Sequence, residues 1–386
     1  MNLNFGINGL ISVRAARPIQ VKSSTPIGMT VTANSEKVGF QKFNNAEEGL
    51  KWCEENNITE GTLKKAMLGI YLQGVSNPLV AYVVKIDADD EKNRDAVSKA
   101  IEKMPKAYTI TGVKPDLLIA PEYSADNGVA AKLDSMGAKM WATGIPCSLD
   151  NNEADCNAYL SNFGTRFLYI VNGVTLVDGL EISNDIFAAA NIAYWDNGGD
   201  NGFDPFGWAK AHSNRVIRGT EKSTRKDGTH VEFVDSGDCE AQRLRQKGMT
   251  HIVRDIGWRV YGFETTDIDP IWQPLDRVRT FYRMLETMKK ALKWARDREA
   301  DQLIWVKKSV EEFFRELKGA NVLIGFEVKF LIAGRDEGGK NTTATVTAGK
   351  FYLTMYVQDM PSIRELNLDL IYVDDYSEIF LEYLNQ

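Results

Sequence analysis

Cysteine and histidine are scarce in this chain, with four of the first and three of the second among 386 residues. Cys53, Cys147, Cys156 and Cys239 include no C-x-x-C pair, and His212, His230 and His251 form no H-x-x-x-H. Local spacing of this kind builds no zinc site, so the thiols are expected to be reduced and to pack as small hydrophobes. No apolar run is long enough to span a bilayer. The opening MNLNFGINGL lacks a basic stretch leading into a long apolar one, so no secretory signal is expected. Positive charge is in deficit, 46 Lys and Arg against 53 Asp and Glu. The net charge of -7 argues against a general nucleic-acid binder. These absences leave a soluble protein made in the cytoplasm, with no metal and no cofactor.

What is present is enough apolar residue, 44%, for a folded core. The length suggests two domains rather than one. The fold class expected is α/β (α+β), with an extended arm over residues 1–22, an outer α/β domain over 23–242, an inner helix-plus-sheet domain over 243–360, and a C-terminal arm over 361–386. Buried strands are predicted at Ile27–Thr32, Val80–Ile86, Asp116–Ala120, Lys139–Thr143 and Phe167–Val171, with helices Ala46–Glu55, Asp95–Met104 and Asn127–Met136 between them. The stretch AYWDNGGDNGFDPFGWAKAHSN reads as a long surface loop. Further on, Val278, Phe281, Tyr282, Leu285, Met288, Leu292 and Ala295 mark one face of a helix over Asp276–Arg298, ~35 Å long. A second helix is predicted over Val306–Leu317. Val322, Ile324, Phe326, Val328, Phe330 and Ile332 then alternate strictly, which predicts a strand. A polar loop, Gly334–Thr345, leads into another strand, Lys350–Gln358.

Three constellations invite a catalytic or binding reading. GRDEGGKN at Gly334–Asn341 nearly fits the phosphate-loop pattern, but Asn341 stands where a hydroxyl residue would hold magnesium, and strand-like sequence is expected where a helix is needed. His212 lies near Ser213, Asp204 and Trp208, without the G-x-S-x-G elbow of a hydrolase. Asp196, Asp200 and Asp204 are interspersed with Gly and Asn, yet lack the order and closing Glu of a calcium loop. A flexible hairpin, a loop histidine and a polar surface are the expected readings. Lys308, Glu311, Glu312, Arg315 and Lys318 share a helical face that is either solvated surface or a docking surface.

Both termini carry strand-prone sequence set apart by prolines. The first residues, through Pro18 and Pro26, show no helical period; the twenty before Val21 could reach ~65 Å if stretched. After Pro361, Leu366, Leu368, Leu370 and Tyr372 alternate, and Asp374 or Asp375 could cap a short helix bearing Ile379, Phe380, Tyr383 and Leu384. Disordered tails are usually poor in apolar residues. An exposed strand of this kind needs a partner, which a neighbouring subunit's sheet edge could supply.

These residues resemble the contractile tail-sheath family, most closely the compact sheaths of P2-like phages and R-type bacteriocins. THIVRDIGWRVYGFETTDIDPIWQPLDRVRT carries the resemblance through Arg254, Gly257, Arg259, Gly262, Trp272, Val278, Arg279 and Thr280. Tyr261 stands where the family has Trp, and upstream only Ser213 and Asn214 match its Ser-Pro-Ser-Asn-like turn. The opening FGINGLISVRAARPI is similar to the family's N-terminal arm. The resemblance implies a non-enzymatic subunit of a virion tail: a homo-oligomer of six-fold rings stacked into a helical sheath, assembled in the host cytoplasm. Its implied partners are an inner tail-tube protein and baseplate and tail-terminator proteins, with neither nucleic acid nor membrane insertion. It further implies that arm strands (Leu10, Ile11, Val13; Leu366, Leu368, Leu370, Tyr372) pair with an acceptor sheet (Val322, Ile324, Phe326, Val328, Phe330) of neighbours. Lys308, Glu311, Arg315 and Lys318 are the expected tube-facing residues. A sheath of a non-phage contractile device, or a nucleotide-binding or hydrolase-like enzyme, are the alternatives.

Overall fold

The computed structural model describes Ile19 and residues 24–235, 237–372, 374 and 376–384. The expected arm residues Leu10, Ile11 and Val13 lie outside the described residues.

Strand Ile27–Ala33 is buried at all seven positions. A strand with no exposed face must sit inside a sheet covered on both sides. It does: the sheet runs Gly39–Phe43, Leu79–Lys85, Ile27–Ala33, Leu117–Ile119, Thr143–Gly144. Its neighbours are parallel except for the antiparallel edge strand Gly39–Phe43. Leu117 and Ile119 enter one apolar cluster with helices Ala46–Glu55 and Leu63–Leu72, while Leu118 and Ala120 enter another with helices Asp90–Ile101 and Asn127–Met140. The expected helix Asn127–Met136 runs on to Met140 because that side chain still packs in the core. The strand expected at Lys139–Thr143 is therefore only Thr143–Gly144.

A second five-stranded sheet has the order Arg215–Val216, Trp258–Tyr261, Met249–Arg254, Ile170–Asn172, Cys147–Ser148. A parallel bridge between Gly144 and Leu168 makes it continuous with the first. Met249–Arg254 lies parallel to Ile170–Asn172, so sheet hydrogen bonding runs across the division expected at residues 242/243. A three-stranded sheet, Lys222–Thr224, Val174–Val177 and Leu180–Ser183, flanks these two.

From Leu275 the chain forms a helical layer, Leu275–Ala291 and Leu303–Gly319, beneath an antiparallel hairpin, Leu323–Lys329 with Thr354–Asp359. Its core gathers Trp208, Met284, Met288, Val310, Phe313 and Phe314, and Ile19 from the chain's beginning packs there too. Two expectations fail here. The 193–214 stretch is a surface loop only in its middle, where residues 200–203 are exposed: Trp208 and His212 are buried, and Asp196 closes a buried helix, Asn184–Asp196. The predicted loop after Gly334 contains a helix, Thr343–Thr347, begun by a reciprocal cap between Thr342 and Thr345, and the following strand starts only at Thr354.

Candidate assembly surfaces

The C-terminal segment leaves the body of the protein in two steps. Met360 N donates to Val322 O at 3.0 Å, Ser362 Oγ bonds Asp276 Oδ2, and the Arg364 guanidinium lies 5.5 Å from the Phe263 ring centre. The tethered base thus extends past Pro361 to Arg364. Beyond it, Leu366, Leu368, Leu370 and Tyr372 are 71–98% exposed. They alternate in sequence but form no strand within their own chain. The helix that follows, Ser377–Leu384, is also exposed at Ile379, Phe380, Tyr383 and Leu384. Apolar side chains in such numbers on one segment constitute a surface that water does not stabilise.

The two-stranded sheet offers a matching deficit of backbone partners. Leu323–Lys329 pairs only with Thr354–Asp359, so among the described residues both outer edges carry unpaired N–H and C=O groups. One face is closed by helix Leu303–Gly319, where Phe314 meets Phe326 at 5.5 Å between ring centres. The predicted alternation breaks at its start. Leu323 pairs with Asp359 and Gly325 with Gln358, leaving Ile324 as a bulge residue. Val322 and Leu323 are consequently both buried while Ile324 is 42% exposed; Val328 points inward and Phe326 and Phe330 are half-buried.

Lys308, Glu311, Arg315 and Lys318 do share one side of helix Leu303–Gly319, but the structure divides them. Glu311 lies 3.6 Å from both Lys307 and Arg315. Lys308 and Glu311 border an open cavity of about 490 Å³ whose apolar wall includes Leu303, Ile304, Phe330, Val346 and Phe351. Arg315 and Lys318 stand exposed beyond it.

A buried polar cluster joins the helical layer to the α/β part. Arg279 Nη1 donates to Asp196 Oδ1 at 3.0 Å, and Nη2 to Oδ2. Thr25 Oγ1 also donates to Asp196 Oδ2. One turn along, Arg283 donates to Thr25 Oγ1 at 2.8 Å and to Ser24 O at 3.1 Å, and lies 3.4 Å from Asp116. His212 Nε2 lies 2.8 Å from Asp196 Oδ1. Burial alone would raise the Asp196 carboxyl, but Arg279 and His212 outweigh it and hold it well below the usual carboxylate range. Burial pushes the His212 imidazole down despite Asp196, which favours the neutral ring. The apolar spacing marks one face of a helix expected over Asp276–Arg298; the helix observed is Leu275–Ala291, followed by a short 3-10 turn, Leu292–Ala295. In fact Arg279, Thr280, Arg283 and Thr287 are more deeply buried than Phe281, Tyr282 and Leu285. Thr25, Arg283 and Asp116 went unassigned, and Asp196 was weighed only with Asp200 and Asp204 as a calcium loop; two arginines at i and i+4 facing inward are a signal that carboxylates must meet them.

The catalytic and metal readings do not assemble. Asp200 pairs with Arg218 and Asp204 with Lys210, each away from Asp196, and no group of metal-ligating residues occurs among the described residues. Asn341 has its amide bound to Leu331 O and Tyr352 O, both at 2.8 Å, and accepts from Tyr352 N. That side chain is a structural tie for the 334–341 loop, and the helix beyond it has only five residues. The four cysteines are free and buried.

No protein-family model matches the chain. A Pseudomonas aeruginosa (strain UCBPP-PA14) protein named as a prophage major tail sheath protein is 28% identical over 272 residues, covering 68% of this chain and 66% of that one, just under two thirds. The tail sheath protein of Escherichia phage P2 is 24% identical over 394 residues, covering 96% of each. Among solved structures, the sheath complex of an extracellular contractile injection system, PVC, in its contracted state superposes with a TM-score of 0.68 at 14% identity, covering 97% of this chain and 99% of that one. The fold is that of a contractile tail sheath. The relatives are structural tail-sheath proteins, not enzymes.

Within the sheath fold, the residues behind the resemblance have visible work. Arg279 is the anchor of the buried cluster. Arg259 Nη1 donates to Asn214 O at 3.0 Å, and Ser213 Oγ accepts from Gly262 N at 3.1 Å, so the two matched segments hold one another. Gly262 has φ +132°, and a Cβ there would stand 2.4 Å from Thr250 Oγ1; only glycine fits. Trp272 is wedged between the Arg166 guanidinium, 4.6 Å from its ring centre, and Phe281, edge-on at 5.1 Å.

Proposed function

We propose that this chain is the protomer of a contractile tail sheath, assembling as stacked six-membered rings around an inner tube and shortening to drive that tube through a target envelope. The observation that carries the reading is the pairing of deficits on one molecule: an exposed leucine-rich segment without backbone partners, and a two-stranded sheet with open edges. The 366–372 segment of one copy adds as a strand to the hairpin of a neighbour. Each backbone hydrogen bond so formed contributes ~0.5–1.5 kcal/mol net, and burial of each leucine roughly 1.5–3 kcal/mol. The N-terminal segment with Leu10, Ile11 and Val13 is the second connection. Two links per protomer reinforce each other through effective concentration.

The contacts of Ser362 and Arg364 support a hinge of the C-terminal link that lies after Arg364. The body can then rotate while the strands stay paired, and contraction is a switch of rigid bodies between two packings, needing no nucleotide. The exposed end of helix Leu303–Gly319, with Arg315 and Lys318, is the proposed tube-facing patch. Baseplate and tail-terminator proteins close the two ends, and the assembly belongs to a phage tail or a related contractile particle.

Negative-stain electron microscopy of the chain expressed alone, beside a form ending at Arg364, tests this. Long tubes from the full chain and none from the shortened one are expected. Small discrete particles from both, across a range of concentration and salt, would overturn the proposal.

A further inference from the structure

We infer that the C-terminal helix Ser377–Leu384 of one copy seats in the cavity beside helix Leu303–Gly319 of a neighbouring copy, locking the added strand at its end. The inference rests on the sheath reading and gives it a specific interlock. Four observations converge.

The cavity, about 490 Å³, is lined mainly by apolar side chains and open to solvent; Ile304 on its wall is 62% exposed and Val346 49%. An apolar hollow of this size on a chain that also carries an exposed apolar helix is a lock with its key on the same molecule. The helix has the right shape for it. Ile379, Phe380, Tyr383 and Leu384 lie at i, i+1, i+4 and i+5, a single face, with Glu378 and Glu382 one turn apart along its border.

Charge agrees. Residues 361–386 hold six acids (Glu365, Asp369, Asp374, Asp375, Glu378, Glu382) against Arg364 alone. At the cavity mouth, Lys308 lies 4.7 Å from the Trp305 ring centre, and among the described residues it pairs with no carboxylate. An acidic helix arriving here meets Lys308, while Glu311 of the same cavity is already engaged by Lys307 and Arg315.

Reach agrees as well. Residues 366–372 match the seven residues of Leu323–Lys329 in length. If the arm runs parallel to that strand, its end arrives beside Phe330, which is part of the cavity wall. The four residues 373–376 then span at most ~14 Å before the helix begins. An arm running the other way would carry the helix to the Leu323 end, away from the cavity. The inference therefore fixes the direction of the added strand.

Disulfide trapping tests it. All four native cysteines are buried, so thiols introduced by Phe380→Cys and Val346→Cys, both at exposed positions, are the accessible ones. Oxidation after assembly of the double variant is expected to give a ladder of covalent multimers on a denaturing gel. Either single variant, or Phe380→Cys combined with Tyr108→Cys on the α/β part, is expected to give none. Lys308→Glu should lower the ladder yield several-fold in the double variant, and adding Glu382→Lys should restore it. Tubes without a ladder overturn the helix seat and leave the sheath reading standing. A cross-link confined to monomers overturns the neighbouring copy as the source of the helix. If the unaltered chain makes no tubes, both readings fall together.

Discussion

At the scale of single residues, Asp196 is the position on which most depends. It sits at the end of one helix and receives Arg279 from another, with Thr25 and His212 against the same carboxylate. Removing one member strands buried charge, so Asp196→Ala should cost about 3–5 kcal/mol of stability, read by chemical denaturation; a loss under ~1 kcal/mol would show the cluster to be relaxed or wet. Asp185 makes a different prediction. Burial pushes its carboxyl up to about 7, although Ser183 and a backbone N–H oppose the change. A folded value above the ordinary one means the native state favours the protonated side chain. That contribution is complete below pH ~4 and is lost as pH rises through about 7. Asp185→Asn should therefore raise the melting temperature at pH 8 and flatten its dependence between pH 4 and 7. An unchanged slope in thermal scans would show that Asp185 is already charged in the fold.

At the scale of elements, the hairpin and the arm explain each other. Alternation was legible in both segments, and it marks strand potential regardless of partner. Only the hairpin strand finds one within its chain, because Thr354–Asp359 lies antiparallel to it; Leu366–Tyr372 stays open. The arm leucines contribute nothing to the folded monomer at 71–98% exposure. Replacing Leu366, Leu368 and Leu370 together with Ser should leave the monomer's melting temperature within ~1–2 °C and abolish tubes under the electron microscope. A large drop in melting temperature would mean that the arm folds onto its own body instead. The bulge at Ile324 and the helix Thr343–Thr347 are not evident from the alternation, for different reasons. The bulge is set by the partner strand's register, and the helix by a Thr342–Thr345 cap in a stretch whose β-branched residues favour a strand.

At the scale of the whole molecule, the proposed sheath requires an acidic chain to bring copies of itself together. With a net charge of -7, self-repulsion opposes polymerisation, whereas the acidic arm and the lysines of the cavity favour one local contact. Long-range repulsion is screened first as salt rises, because its range exceeds the Debye length of ~8 Å at physiological ionic strength. Sedimentation should accordingly show more polymer from low salt to ~0.15 M. For the Lys308→Glu chain, which adds repulsion at the contact itself, the rise should be shallower at the same salt. Equal curves for the two proteins would remove Lys308 from the interface.

The sequence by itself determined the alternation of strands and helices, the helical layer, the apolar arm and the likeness to tail sheaths. Each of those is a local pattern, written in period, caps or short motifs that need no distant partner to be read. The tertiary structure alone decided that Asp196, Thr25, Asp116, Arg279 and Arg283 meet, that Trp208 and His212 are interior, and that one sheet runs past residue 243. The hydrogen bonds that Arg279 and Arg283 make in that cluster join residues 83 to 259 positions apart. Nothing in local sequence specifies which of many inward-facing charges will be neighbours until packing brings their elements together, and burial then makes the pairing obligatory.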